Sequence, residues 1–212
     1  MRRGRRKAQH PETARRILEA AARHFAAHGL AGARTDEIAA AAHANKAMLY
    51  YYFGDKRRLH RAVLENIFRQ AMNAVDKTLP ETASPREQLL AFVHGNFEFR
   101  AAHPHYTQLF LRMMTESRDE IRWLARNYLR SGHRHLRRVI EQGIARGEFR
   151  RVDPVQTVIT IIGMVAFYFA SGVVHTEILK RDALSPHAVA AHKRAVLDFL
   201  EHGLFHPEMR NR

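Results

Sequence analysis

The segment TDEIAAAAHANKAMLYYYFGDK (35–56) gathers hydroxyl, phenol and ammonium groups at spacings that suit the gripping of phosphate. Thr35 stands where a helix should begin, so its hydroxyl and the free amides of the helix start can meet one phosphate. Lys46, Tyr50, Tyr51, Tyr52 and Lys56 crowd donors and a positive helix end around a second, with Arg34 as a further candidate beside Thr35. Reaction chemistry is not indicated. The sequence shows no pair of acids, no nucleophile with a base and no phosphate-cradling glycine loop, so the chain is expected not to be an enzyme and to use no cofactor. The 15 histidines raise the question of a metal. His24 and His28, His103 and His105, and His133 and His135 come without carboxylates at ligand spacing, and an i, i+2 pair on a helix points to different faces. No metal site is expected.

Three short helices must hold these residues. The first runs from about Pro11 or Thr13 to His28, with Ile17, Ala21 and Phe25 spaced i, i+4, i+8 beside Leu18 and Ala22, and Gly29 as a left-handed stop. Thr35 is placed as the N-cap of the second, whose start carries Asp36 and Glu37 and whose short apolar face is Ile38, Ala39 and Ala42. Asn45 caps the third, which turns Leu49 and Phe53 inward before Gly54-Asp55 closes it and caps a fourth helix over about 56–78, carrying Leu59, Val63, Ile67 and Val75 and ended by Pro80. None of the short helices is stable alone, so they must share one core. A short helix, a tight turn and a second helix whose N-terminal end can enter a major groove make a helix-turn-helix, and duplex DNA is the expected partner.

The runs TARRILEAAARHFAAHGL and TDEIAAAAHANKAMLYYYFGDKRRL together resemble the N-terminal domain of the tetracycline-repressor (TetR) family of regulators. The resemblance covers about 13–64 and rests on Phe25, Gly29, Thr35, Ile38-Ala39, and the ending Leu49, Tyr50, Phe53, Lys56. It implies that Thr35, Lys46, Tyr50, Tyr51 and Lys56 hold phosphates and that Lys46, Ala47, Met48 and Tyr51 face bases. Two stretches depart from the family pattern. His43-Ala44-Asn45 stands where Gly-Val-Ser is usual, and Ala47-Met48 where Gly-Thr is usual. Asn45 is as good a cap as serine. His43 sits where a glycine would take positive φ at little cost. Met48 suggests contact with a thymine methyl, so the operator should differ from those of relatives.

The charge distribution agrees. The chain of 212 residues carries a formal +14, and residues 1–61 alone hold 14 basic against 5 acidic residues, a net of +9. A basic front end concentrates near polyanions. The start MRRGRRKAQH lacks the apolar core and cleavage site of a secretory signal and reads as a disordered arm, with Arg2, Arg3, Arg5, Arg6 and Lys7 available to phosphates or a minor groove. Cysteine is absent, which excludes disulfides and thiol catalysis and fits the cytoplasm.

Beyond the fourth helix the pattern stays helical, and the fold class is all-α. Ser84-Pro85-Arg86-Glu87 is a capping box opening a helix to about Ala102. Further helices are expected over about 104–116 and 119–146, the latter stopped by Gly147. Asp153-Pro154 caps an apolar helix and Ser185-Pro186 a last one to about Leu200, before Gly203 and Pro207. The run VQTVITIIGMVAFYFASGVV (155–174) has the length of a membrane span, but it contains Gln156, Thr157, Thr160 and Ser171 in a chain of mean hydropathy −0.40. It is read as one helix buried on all sides in a core or dimer interface, not as a span. The domains are therefore taken as an arm (1–11), a DNA-binding head (12–64) and a larger helical domain (65–212). By the resemblance, that domain senses a small molecule and pairs two subunits in a four-helix bundle, here through about 154–174 and 186–200. Phe92, Asn96, Phe99, Phe110, Met114, Trp123 and Tyr168 are the candidate pocket residues. The leading expectation is a homodimeric repressor released from a pseudo-palindromic operator by an effector. The alternative is a sequence-tolerant or architectural DNA-binding protein without an effector.

Overall fold

The computed structural model describes residues 11–76, 83–116 and 118–206. Arm residues 1–10, the expected helix end at Thr78, Pro80 and Pro207 lie outside them. The described chain is all-helical, as expected: α1 (Pro11–Gly32), α2 (Thr35–Ala41), α3 (Lys46–Phe53), α4 (Lys56–Asp76), α5 (Pro85–Ala102), α6 (Pro104–Glu116), α7 (Arg118–Leu124), α8 (Arg130–Ala145), α9 (Pro154–Ala170), α10 (Gly172–Leu179) and α11 (Pro186–Gly203). These helices gather into two compact units. The first runs to Arg69 and includes Gln108–Arg118, and the second takes Gln70–Thr107 and the residues from Asp119 onward.

The first unit is built on the apolar stripe of α1. Ile17, Ala21 and Phe25 are buried with Ile38 and Ala39 of α2, Leu49 of α3 and Leu59, Val63 and Leu64 of α4. Phe25 meets the His60 ring edge-on at 4.8 Å. Helix α1 leaves helical geometry at Gly29, with φ 67, the stop its sequence requires. Arg112 of α6 takes the carbonyls exposed near this stop: Nε donates to Ala26 O at 2.7 Å and Nη2 to Ala27 O at 2.6 Å. A guanidinium there also faces the negative end of the helix dipole.

The second unit packs α5, α8, α9 and α11 around Leu89, Val93, Phe97, Leu136, Ile140, Ile161, Val196 and Leu200. Its helix starts follow the local sequence. The Ser84 hydroxyl accepts from the Glu87 amide at 3.2 Å while the Glu87 carboxylate accepts from the Ser84 amide at 2.7 Å, and Asp153 accepts from the amides of Val155 and Gln156. Behind α11 the chain returns. Phe205 stacks on Phe149 at 5.2 Å, flanked by Arg150 N–H to Leu204 O and His206 N–H to Glu148 O.

Two expectations need correction. The helix expected over 119–146 is interrupted by a π turn at Ala125–Leu129 between α7 and α8. Leu124 and Leu136 are both buried, yet their spacing would leave them roughly a third of a turn out of line in an uninterrupted α-helix. The wider turn takes up that difference, and the side chains of Asn127 and Ser131 bond to the carbonyls of Trp123 and Tyr128. The helix expected over 155–174 is also not continuous. It breaks at Ser171, whose hydroxyl donates to Phe167 O at 2.6 Å, and Gly172 allows the close approach of Leu184. Nor is α9 buried all round within one chain. Val158, Ile161, Val165 and Tyr168 face the core, whereas Ile159, Ile162 and Phe167 are exposed. No single helix among the described residues is long and apolar enough to cross a membrane; α9 and α10 would qualify only as a pair bent by 66°.

Gly143 of α8, in the second unit, has almost no room for a side chain. A β-carbon there would lie 2.3 Å from Cδ2 of the buried Phe149 ring. Gly143→Ala is therefore expected to destabilise the protein by about 1–3 kcal/mol through overpacking. Urea unfolding monitored by circular dichroism checks this, and an unchanged midpoint would contradict it.

Candidate nucleic-acid interface

The turn between α2 and α3 is set by backbone bonds and one side chain. The amide of His43 donates to Ala40 O at 3.0 Å and that of Ala44 to Ala39 O at 2.9 Å, the paired bonds of a Schellman C-terminus. Such a motif needs a left-handed residue at its penultimate position, and His43 takes it, with φ 49. The position singled out in the sequence is thus the one that carries backbone strain. Asn45 then starts α3 by accepting from the Met48 amide at 2.8 Å. At the far end, Gly54 turns the chain with φ 84 and Asp55 accepts from the Arg58 amide at 2.8 Å.

With Leu49 inward, α3 presents Lys46, Ala47, Tyr50 and Tyr51 outward, all exposed, with Met48 half-buried beside them. Thr35 is not the N-cap of α2. Arg34 holds the extended cap position, and Thr35 is the first helical residue, its hydroxyl 3.3 Å from the Tyr50 hydroxyl. This pair is partly buried and joins two hydroxyls from the two helices at one spot. The Arg34 guanidinium lies 3.0 Å from the Asp36 carboxylate and 3.6 Å from that of Glu37. Tyr52 is half-buried between Tyr51 and Phe53, in edge and tilted ring contacts at 5.3 and 6.2 Å. Lys56 has a role the sequence did not signal. Its ammonium donates to Ala31 O at 2.9 Å and Ala33 O at 2.8 Å, fastening the start of α4 to the segment before α2. One of its three hydrogens is left for an outside anion.

The candidate pocket residues divide between the two units. Phe110 and the exposed Met114 belong to the first unit, the others to the second. On α5, Phe92 packs against the core, the Asn96 amide donates to Phe92 O, and Phe99 is buried against His103 and Tyr106. Trp123 meets Tyr128 edge-on. The Tyr168 hydroxyl donates to Ala183 O, and its ring stacks on His192 at 4.0 Å. Tyr168 also lines an open apolar groove of about 600 Å³, with Gly163, Met164, Phe167, His192 and Phe199.

Two all-helical units, the first with an exposed second helix behind a Schellman turn, have the architecture of a helix-turn-helix DNA-binding protein. Residues 17–63 match the model of bacterial regulatory proteins of the tetR family, and residues 85–200 that of the tetracyclin repressor-like C-terminal domain. The chain belongs to the TetR family of transcriptional regulators. It is 39% identical over 103 residues to the HTH-type transcriptional repressor SCO4008 of Streptomyces coelicolor, a match spanning 48% of this chain and 50% of that repressor. It is 29% identical over 157 residues to the HTH-type transcriptional repressor NicS of Pseudomonas putida, covering 73% and 74% of the two. A transcriptional regulator from Saccharomonospora viridis, solved in complex with choline, shares the fold, with a TM-score of 0.75 and 21% identity over 92% of this chain and 98% of that one.

The strain at His43 has a measurable consequence. A left-handed conformation costs a residue with a side chain about 1–2 kcal/mol, against about 0.5–1 kcal/mol for the extra unfolded-state freedom of glycine. His43→Gly is expected to stabilise the protein by about 0.5–1 kcal/mol, and the β-branched His43→Val to destabilise it by at least as much. Denaturant midpoints at unchanged m-value test the pair, and a destabilised glycine variant would refute the reading.

Proposed function

We propose that the chain is a homodimeric repressor that reads a pseudo-palindromic operator with α3 and is released by a small molecule bound in the second unit. The observation that carries the reading is the outward face of α3: Lys46, Ala47, Tyr50 and Tyr51 stand exposed next to the Thr35–Tyr50 hydroxyl pair. In this reading Thr35, Tyr50, Tyr51, Lys46, Arg34 and the spare hydrogen of Lys56 hold phosphates, while Ala47 and Met48 meet base edges. Asn45 and Tyr52 position α3. The head comprises residues 12–64, the arm 1–11 adds salt-sensitive affinity, and 65–212 senses and dimerises. Effector binding within Phe92, Asn96, Phe99, Trp123 and Tyr168 would favour a head spacing unmatched to successive grooves, a shift that requires unequal affinity for the two states. The choline held by a neighbour of the same fold supports a small-molecule site. Such a repressor works in the cytoplasm.

The partner surface is the exposed side of α9 and α11. Phe167 is 67% and Phe199 60% exposed, beside Ile159 and the open groove, and Gly163 there has clear space above it. An apolar patch of this kind suits a second copy of the same surface. The sequence-tolerant alternative rests on the charge of +14.

Footprinting on the DNA flanking the chain's own gene is expected to show a protected palindrome with half-sites roughly 34–36 Å apart. Equal affinity for random duplex at physiological salt would favour the alternative. Lys46→Gln is expected to weaken binding and reduce the slope of log affinity against log salt by roughly 1; an unchanged slope would remove Lys46 from the phosphate contacts. Phe167→Asp is expected to turn a dimer into a folded monomer in sedimentation velocity. A persistent dimer would place the pairing elsewhere.

A further inference from the structure

The end of α5 carries a charge that no described residue neutralises. Arg100 is only 7% exposed, and among the described residues no carboxylate pairs with it. Its Nη1 donates to the Thr107 hydroxyl at 3.3 Å, its guanidinium carbon lies 4.8 Å over the Tyr106 ring, and its buried Nε has no acceptor. Thr107 and Tyr106 are themselves buried and neutral, and burial pushes the Tyr106 phenol above its ordinary range. Burial also pulls the Arg100 guanidinium below its usual range, with the Tyr106 side chain the one group that opposes the fall.

A guanidinium is almost never buried without a counter-charge, because loss of hydration outweighs what neutral partners return. The last turn of α5 turns its negative end towards Arg100, but a helix end amounts to roughly half a charge and fades within a turn. A hydroxyl and an aromatic face likewise fall short of an anion. The site therefore has a cation, a spare N–H, a hydroxyl and aromatic surface from Phe99 and Tyr106 in T-shaped contact at 5.2 Å, and no carboxylate among the described residues matches its charge. We propose that Arg100 is the anchor of a ligand site in the second unit and that the small molecule sensed by this chain is an organic carboxylate. One guanidinium among aromatic rings matches a singly charged, partly apolar acid better than a phosphate dianion. This inference rests on the effector reading above and specifies its chemistry.

The test is thermal unfolding of the full chain at fixed pH and ionic strength, for wild type and Arg100→Met, in acetate, hexanoate and benzoate, in the matching amides, and in inorganic phosphate. Wild type is expected to melt higher in the carboxylates, with a rise that grows with the logarithm of concentration, and not in the amides. Arg100→Met is expected to melt no lower than wild type in plain buffer and to ignore the carboxylates. An equal response to carboxylates and amides, an equal response of the variant, or a larger rise in phosphate would each overturn the assignment. Should Arg100→Met not fold, Thr107→Val, which removes one hydroxyl beside the guanidinium, is expected to weaken the carboxylate response several-fold; an undiminished response would count against the site. Operator protection without added anion is scored separately. Its absence would sink the repressor reading, whereas intact protection with no carboxylate response would sink this inference alone.

Discussion

Helices α2 and α3 have 7 and 8 residues, too few to hold themselves in water, and the geometry of the reading face depends on what brackets them. The Lys56 ammonium is the bracket. By donating to the carbonyls of Ala31 and Ala33 it ties the first residue of α4 to the segment that leads into α2, so that the turn, the recognition helix and the Thr35–Tyr50 hydroxyl pair form between two fixed points. Arg112 acts similarly at the end of α1. Each of these two side chains makes a pair of bonds from a charged donor to backbone carbonyls, the stronger class of hydrogen bond. Ile38, Ala39 and Leu49 then need only fill the space so defined.

The second unit solves a different problem. Its core is large and apolar, its helix starts are capped locally, and the ion pairs Arg86–Glu201 and Lys193–Glu98 tie α11 to α5 at its edge. Charge also appears where it is least comfortable, as Arg100 beneath Tyr106 and Thr107, and apolar surface appears where water reaches it, along α9 and α11. Each is a local departure from what a self-sufficient domain would choose, and each suits a partner from outside the chain.

What could be read from the sequence was what is encoded locally. Asn45, Asp55, Ser84 with Glu87, Asp153 and Ser185 all cap the helices expected of them, because each bonds to an amide two or three residues away. Gly29 and the apolar stripe of α1 were visible for the same reason. Thr35 misled because a threonine before an acidic pair has the pattern of a cap; its hydroxyl is instead set against Tyr50, 15 residues on. The partners of Lys56 and Arg112 lie tens of residues away, and no spacing rule reaches that far. The π turn escaped because periodicity over 119–146 looks continuous unless the 12-residue step from Leu124 to Leu136 is noticed. Aromatic and methionine side chains mark a pocket only by type, and type does not tell which unit Phe110 or Met114 will join.

The return of the chain behind α11 bears on how the second unit comes apart. Phe205 stacked on Phe149, with backbone bonds on either side, closes the stretch from α9 to α11 into a loop whose two ends are pinned to each other. The last residues of most domains fray a few at a time. Here release of Phe205 also strips a ring from the core and opens the loop at both ends, so α9, α10 and α11 are expected to open as one cooperative block. Loss of the Phe205 ring is then an all-or-none event for that block, and Phe205, although it follows the last helix, behaves as part of the interior.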